Sequence, residues 1–281
     1  MITCNLKGGI GEQLFQIFTL MSYSIDNKIA FIFPYTEFVK DSDYLYKTYW
    51  KSFLNSLFKY TTGNNSFEDI ERANGLLLTR HPTFNENAYT YTDIDNQDNV
   101  LFNGYFQSYK YFDKHKDNLL KVVDIEHNKL KIRAEYFHLL NTSCIASMQF
   151  INETNRNGHF GYADLPLSFY ENALDNIPTQ YKILVFCEIN DRERVDGIIS
   201  SLKDKYTHTF QFVDDDIPDW RQLVLMSCCG INVLSNSSFS WWGAYFNTEA
   251  VDVFYPSLWF DDKTQHDTTD LFPTSWKRIS I

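Results

Sequence analysis

Two stretches of this chain place polar or flexible residues where a phosphorylated ligand could be held. The first is Gly8-Gly9-Ile10-Gly11-Glu12-Gln13-Leu14-Phe15-Gln16. A Gly-rich turn that opens a helix gathers backbone N–H groups at the positive end of the helix dipole, which favours negative charge. Gly9 and Gly11 would let a ligand come close to the backbone. As a dinucleotide fingerprint the stretch is incomplete, because Leu14 stands where the third small residue belongs. An ordinary tight turn explains the glycines as well. Glu12 heads the helix and carries a carboxylate able to accept a proton. The helix dipole alone would also favour a glutamate there.

The second stretch is Ser235-Asn236-Ser237-Ser238-Phe239-Ser240-Trp241-Trp242-Gly243-Ala244. It follows an apolar run and opens a helical pattern, so its hydroxyls and N–H groups gather at a helix N-terminus. That makes a phosphate cradle from Asn236, Ser237, Ser238, Phe239 and Ser240. A plain Ser N-cap followed by two core tryptophans is the simpler reading, but it calls for fewer polar residues than stand here.

Other candidates are weaker. Asp214-Asp215-Asp216 follows an apolar strand, as a metal-binding acidic pair would, but with Asp219 it also precedes a helix that it can cap, or it can meet ribose hydroxyls. The preferred reading has no metal. His81, His115, His159 and His266 are isolated; only His159, between Gly158 and Phe160, is set where an acceptor could meet it. Tyr105 and Gln107 offer a polar, aromatic acceptor platform, with Phe106 between them suited to the core.

These residues need a scaffold of alternating strands and helices. Ile2–Leu6 reads as a strand, Glu12–Tyr23 as a helix with Leu14, Phe18 and Met21 on one stripe, and Ile29–Phe33 as a second strand. Residues 41–99 are aromatic and irregular, with short helical pieces near 49–59. A strand follows at Val100–Gly104 and a helix near 109–120. Beyond Asn141 the alternation is regular. Strands are expected at Ser143–Phe150, Lys182–Cys187, Thr209–Val213, Ile231–Leu234 and Val251–Tyr255. Helices are expected at Ser168–Ile177, Asp191–Leu202, Trp220–Ser227 and Ser240–Phe246. Such alternation argues for βαβ units and a parallel sheet, hence an α/β fold. The expected domains are 1–140 and 141–281.

Composition narrows the function. The 281 residues carry 25 Lys+Arg against 36 Asp+Glu, a formal net charge of −11, which argues against a nucleic-acid partner. It leaves room for a small phosphorylated ligand bound by a local patch. Apolar runs such as Ile29–Phe33 are far shorter than the ~20 residues that span a bilayer. The N-terminus has no basic region followed by an apolar one, so no signal peptide is expected. Five cysteines, none in zinc spacing, point to a reduced cytoplasmic setting and a soluble protein. The sequons at Asn64, Asn141, Asn152 and Asn236 are then chance.

Four segments, in order, carry a family resemblance. Gly8–Gln16 resembles the opening motif of the α-1,2-fucosyltransferases of glycosyltransferase family 11. Asn103-Gly104-Tyr105-Phe106-Gln107-Ser108, followed by Lys110-Tyr111-Phe112, resembles its central segment. Leu225-Met226-Ser227-Cys228 running into Ser235–Tyr245 is similar to its C-terminal signature, and Tyr255-Pro256 with Trp259-Phe260 to its tail. The resemblance implies a GT-B-like fold of two Rossmann-like halves with a cleft between them. It implies inverting, metal-independent transfer of fucose from GDP-fucose to a glycan, with no cofactor beyond the nucleotide-sugar donor. In that frame Gly9, Gly11 and residues 236–240 meet the donor, and Gln13, Tyr105, Gln107 and His159 meet the acceptor; Glu12 is the candidate base by its carboxylate alone.

Two departures stand out. The family's His-x-Arg-Arg-Gly-Asp segment, where Arg meets the donor diphosphate, is replaced by Ser147-Met148-Gln149-Phe150-Ile151-Asn152-Glu153-Thr154. Gln149 takes the His position, and Ile151 and Asn152 the Arg positions. Arg156, Arg192 and Arg194 are candidate substitutes, though each also suits a solvated surface. Glu12 stands where the family usually has Asn, and only a carboxylate could take the acceptor's proton. The leading expectation is an inverting transferase of fucose or another 6-deoxyhexose from a GDP-linked donor. The alternative is an inactive glycan- or nucleotide-sugar-binding homologue. A nicotinamide oxidoreductase ranks last, since the second strand ends Phe33-Pro34-Tyr35 with no acid to hold a ribose.

Overall fold

Two sets of parallel strands organise the chain in a computed structural model that describes residues 1–64, 70–79, 81–86, 89–151, 161–261, 263–264 and 266–281. Contacts divide the chain into Met1–Glu126 with Asp267–Pro273, and His127–His266 with Thr274–Ile281. The sequence reading put the boundary at 140/141. The structure puts it earlier because the helix Ile125–Glu135 (α4) is tied to the second unit, through Arg133 to Glu249 and Glu135 to Arg221. It also returns residues 267–273 to the first unit, which no local pattern announces.

In the first unit, β1 (Thr3–Cys4) pairs in parallel with β5 (Leu101–Asn103), and β5 with β4 (Thr83–Asn85). The strand expected at Ile29–Phe33 is reduced to single bridges, Ile2 to Phe31 and Phe33 to Thr61, both parallel. The sheet therefore runs Thr61, Phe31–Phe33, β1, β5, β4. Helix α1 (Ile10–Asn27) follows β1 and is buried almost all round. Between Ile10 and Tyr23 only Glu12 is not buried. A hairpin of β2 (Phe38–Asp41) and β3 (Tyr44–Lys47) fills part of the stretch read as irregular, as does α2 (Ile70–Thr79). Two 3-10 turns and α3 (Lys116–Val122) replace the single helix expected near 109–120.

The second unit holds β6 (Ile145–Gln149), β7 (Lys182–Phe186), β8 (Thr209–Phe212), β9 (Ile231–Val233), β10 (Asp252–Pro256) and β11 (Lys277–Ile279). They lie in the order β8-β7-β6-β9-β10-β11, all parallel. In chain order that is 3-2-1-4-5-6, the doubly wound arrangement of dinucleotide-binding sheets. Between them run α5 (Leu167–Leu174), α6 (Arg192–Lys205), α7 (Asp219–Met226) and α8 (Ser238–Tyr245). Ala146 and Met148 of β6 pack with Phe169 and Ala173 of α5 and with Val195 and Ile199 of α6 in one core. Helices feeding parallel strands bury both sheet faces, which is why these strands read as apolar runs. The α/β class expected from the alternation is the one the chain adopts. Among the described residues no helix is long and apolar enough to cross a membrane.

Candidate active site

Open parallel sheets bind ligands beyond the carboxyl ends of their strands, where the strand order reverses. In the first unit that place lies beyond β1 and β5. The Lys7–Gly11 turn follows β1, the Gly104–Gln107 turn follows β5, and Glu86 follows β4. Gly8 takes φ +72°, in the left-handed region that favours glycine. A Cβ there would lie 2.7 Å from the Glu12 Cβ, so Glu12 folds directly over the turn. Its carboxylate reaches back to Gly9, where Oε2 would be 3.3 Å from an added Cβ.

The two glutamines of the opening motif hold this turn in shape. Gln16 accepts from the Lys7 N–H (3.0 Å) and donates to the Lys7 carbonyl (2.9 Å). Gln13 was expected to face an acceptor. Instead its amide donates to the Gly8 carbonyl and to the Lys47 carbonyl at the end of β3, both at 2.9 Å, and the residue is buried. Gly11, expected beside the donor, is buried within α1.

Glu12 is not alone at these strand ends. Glu86 Oε2 accepts the N–H groups of Tyr105 (3.1 Å) and Phe106 (3.0 Å). Burial pushes its carboxyl up to about 7, against the pull of those two N–H groups and of Lys7. Tyr105 donates its hydroxyl to Asp41 Oδ2 at 2.8 Å, and Lys7 Nζ sits 6.0 Å from its ring centroid. Burial, then Asp41 and Glu12, push the Tyr105 hydroxyl well up; burial, then Glu12 and Glu86, do the same to Tyr89. The fields of three carboxylates therefore converge on two phenols, with Lys7 as the nearby cation. Such convergence of perturbed groups at strand ends makes this the candidate site of the first unit. Gln107 is buried to 3% exposure, so it offers an acceptor little surface, whereas Tyr105 is part-exposed. Asp41, Glu86 and Tyr89 escaped the sequence reading. Their spacing carries no motif, and only the hairpin and the sheet bring them to Glu12.

In the second unit the order reverses between β6 and β9. Gln149 ends β6, and Ser235 follows β9 and donates to Gln149 Oε1 at 2.8 Å. The last residue of β6 and the first serine after β9 thus meet at the switch point. Much of the polar hardware beyond β9 braces the fold. Asn236 donates to the carbonyls of Ala163 and Trp259, and Ser240 to those of Ser235 and Ser237. Ser237 caps α8 by accepting the Phe239 N–H (3.2 Å). Ser238 is buried, and Phe239 alone in Ile231–Phe246 is part-exposed. Trp241 and Trp242 are wholly buried, as core residues should be. What these bonds fix is the N-terminal turn of α8, aimed at the strand ends.

The arginines divide. Arg192 pairs with Asp215 (2.8 Å) and lies 4.0 Å from the Phe212 ring centroid, both at the end of β8. Arg194 is exposed and donates to the Ile151 carbonyl (3.3 Å), just past β6 and therefore beside the switch point. Arg156 and His159 lie outside the described residues. Asp215 is engaged by Arg192, Asp214 faces His138 at 3.7 Å, and Asp219 opens α7.

The profile of glycosyl transferase family 11 matches residues 1–280. The chain belongs to glycosyl transferase family 11. This family 11 chain is similar to the O-antigen biosynthesis glycosyltransferase WbnK of Escherichia coli, at 26% identity over 168 residues. That alignment covers 56% of the chain and 54% of WbnK, so the chain spans about half the length of this relative. Among solved structures, the fucosyltransferase NodZ from Bradyrhizobium aligns over 90% of this chain and 94% of its own, at 9% identity and a TM-score of 0.46. The ADP-heptose lps heptosyltransferase II of E. coli aligns over 56% and 43%, at 18% identity and a TM-score of 0.38. Superpositions this loose transfer no residue roles.

Proposed function

We propose that the protein is an inverting glycosyltransferase that moves fucose, or another 6-deoxyhexose, from a GDP-linked donor to a hydroxyl of a glycan. The observation that carries this reading is the family 11 match along the whole chain, with both of its main motifs set beyond strand ends. In the second unit, the N-terminal turn of α8 and the Arg194 guanidinium would hold the donor diphosphate. In the first unit, Tyr105 would offer the acceptor a stacking face. Glu12 would accept the acceptor's hydroxyl proton as the oxygen attacks the anomeric carbon. The new C–O bond forms opposite the bond to the diphosphate, and that bond's electron pair leaves with the nucleotide. No metal or cofactor enters this scheme.

The donor is tested by thermal shift against GDP, UDP, dTDP and CMP. GDP at 100 times its dissociation constant should add about 2.7 kcal/mol of stability. A response to UDP and not to GDP overturns the donor. Transfer from GDP-fucose by the wild type and by Glu12→Gln tests the base. Loss of a general base should cost 10²–10⁴-fold in kcat, roughly, with GDP binding unchanged. Gln149 and Ile151, standing where the family has His and Arg, favour a second reading: an inactive protein that still binds nucleotide sugars. GDP binding without turnover in any variant would establish it.

A further inference from the structure

The carboxylate at the end of β4 has a geometry that the proposed base does not explain. The Glu86 side chain runs beneath the turn after β5, where a Cβ on Gly104 would lie 2.6 Å from the Glu86 Cβ and 2.8 Å from its Oε2. Only glycine admits the carboxylate there. From that position Oε2 takes two consecutive backbone N–H groups, those of Tyr105 and Phe106. Phe106 needs an anchor, since it holds φ +54° with a bulky side chain. A left-handed residue of this kind is disfavoured unless its surroundings fix it. The Phe106 ring is wholly buried against Phe84, Phe102 and Tyr111, so the anchor and the core together set the direction in which Tyr105 leaves the turn. Among the described residues Glu86 Oε1 is buried with no hydrogen-bond partner, which penalises a negative charge there.

We propose that Glu86 is a positioning residue of the acceptor site: its carboxylate holds the turn that presents Tyr105, and proton uptake by Glu86 loosens that hold. The proposal rests on the transferase reading given above. A carboxylate accepts N–H bonds roughly twice as strong as those to a neutral carboxyl, so protonation weakens the anchor without removing it. The groups that set the balance come from several elements. Lys7, in the turn after β1, favours the charged form. Glu12 of α1 shares the Tyr89 phenol with Glu86, Tyr111 faces Glu86 from the turn after β5, and Asp41 of β2 holds the Tyr105 hydroxyl. Burial outweighs Lys7 and the two N–H groups, and places the change near neutrality, at about 7.

The test is the pH dependence of transfer from GDP-fucose, with acceptor varied. In the wild type, kcat/KM for the acceptor should fall about tenfold from pH 8 to pH 6, mostly through KM, as the charged bonds are lost. The dissociation constant for GDP should not follow. Glu86→Gln keeps an oxygen for both N–H groups and does not titrate, so its profile should be flat over that range. Glu86→Ala should show a raised acceptor KM at every pH. A limb that persists in Glu86→Gln overturns the proposal. Should the wild type not turn over GDP-fucose, the transferase reading fails and amide exchange decides the positioning role alone. Exchange at Tyr105 and Phe106, corrected for its intrinsic pH dependence, should lose protection below pH 7 in the wild type and not in Glu86→Gln. Equal protection in both proteins at pH 6 and pH 8 overturns it.

Discussion

At the scale of single residues, the site in the first unit is governed by how burial treats its carboxylates. Glu86 is raised from 4.5 to about 7 by desolvation, so the folded protein binds a proton there that the unfolded chain releases. The linkage has a definite sign. A carboxyl raised on folding stabilises the protein fully below the unfolded value, and that stability is lost as pH rises through the folded one. Above pH 7 the wild type therefore carries the cost of a buried charge, on the order of 2–3 kcal/mol. Glu86→Gln does not. The stability of Glu86→Gln relative to the wild type should thus rise between pH 5 and pH 8, by several degrees in melting temperature. A constant difference across that range would contradict the assignment. Gln13, expected at an acceptor, supplies the complementary lesson: with Gln16 it fixes the backbone that Glu12 folds over.

At the scale of elements, glycine separates close packing from open surface. Gly243 lies in α8, where a Cβ would stand 2.8 Å from the Met226 Cβ, 2.9 Å from its sulfur and 3.4 Å from the Leu223 carbonyl of α7. The Cβ of Met226 is not a flexible end that can swing away, so Gly243→Ala must push α7 and α8 apart. Overpacking of this kind costs about 1–3 kcal/mol. Gly197 in α6 has nothing within 4 Å, and Gly197→Ala should be neutral or stabilising by about 0.5–1 kcal/mol. Thermal melts of the two variants check the contrast, and equal effects would contradict it. Period and punctuation made the second unit readable. The stripe of Phe169, Ala173 and Ile177 is buried, and each expected strand there lies within two residues of its place. The first unit was harder, because the strands of its parallel sheet, β1, β4 and β5, run to only two or three residues, too few for an alternating pattern to show. The β2–β3 hairpin stayed hidden because its residue types do not follow its alternating burial: Leu45 and Phe38 stand at exposed positions. Of the candidate site, the contiguous turns at Gly8–Gln16 and Ser235–Ser240 could be named from the sequence. The candidate site was illegible at Asp41, Glu86 and Tyr89, which only the sheet order brings to Glu12.

At the scale of the whole molecule, the chain carries eleven excess negative charges, and the residues that end and follow β6, Gln149-Phe150-Ile151-Asn152, include no cation. Under the proposed reading, the N-terminal turn of α8 and the exposed Arg194 would offset that charge locally at a donor diphosphate. The route of the chain matters as much. After entering the second unit at His127 it returns to the first for Asp267–Pro273 before ending in the second. Asp270 is what that return contributes. Its carboxylate accepts the Tyr91 N–H at 3.1 Å and pairs with Lys110, and its carbonyl accepts the Ser108 hydroxyl at 2.8 Å. The segment that carries Tyr105 is therefore anchored upstream by Glu86 and downstream by Asp270. Asp270→Ala removes the carboxylate alone, leaving the Tyr91 N–H and the Lys110 ammonium without their acceptor. An N–H left unsatisfied on burial costs about 1–3 kcal/mol. The loss should be local. Amide exchange should speed up in peptides covering 89–92 and 108–112, with β7 at Lys182–Phe186 in the second unit unchanged. Loosening of β7 to the same degree would mean that the return segment stabilises the protein as a whole, and not the first unit through Asp270.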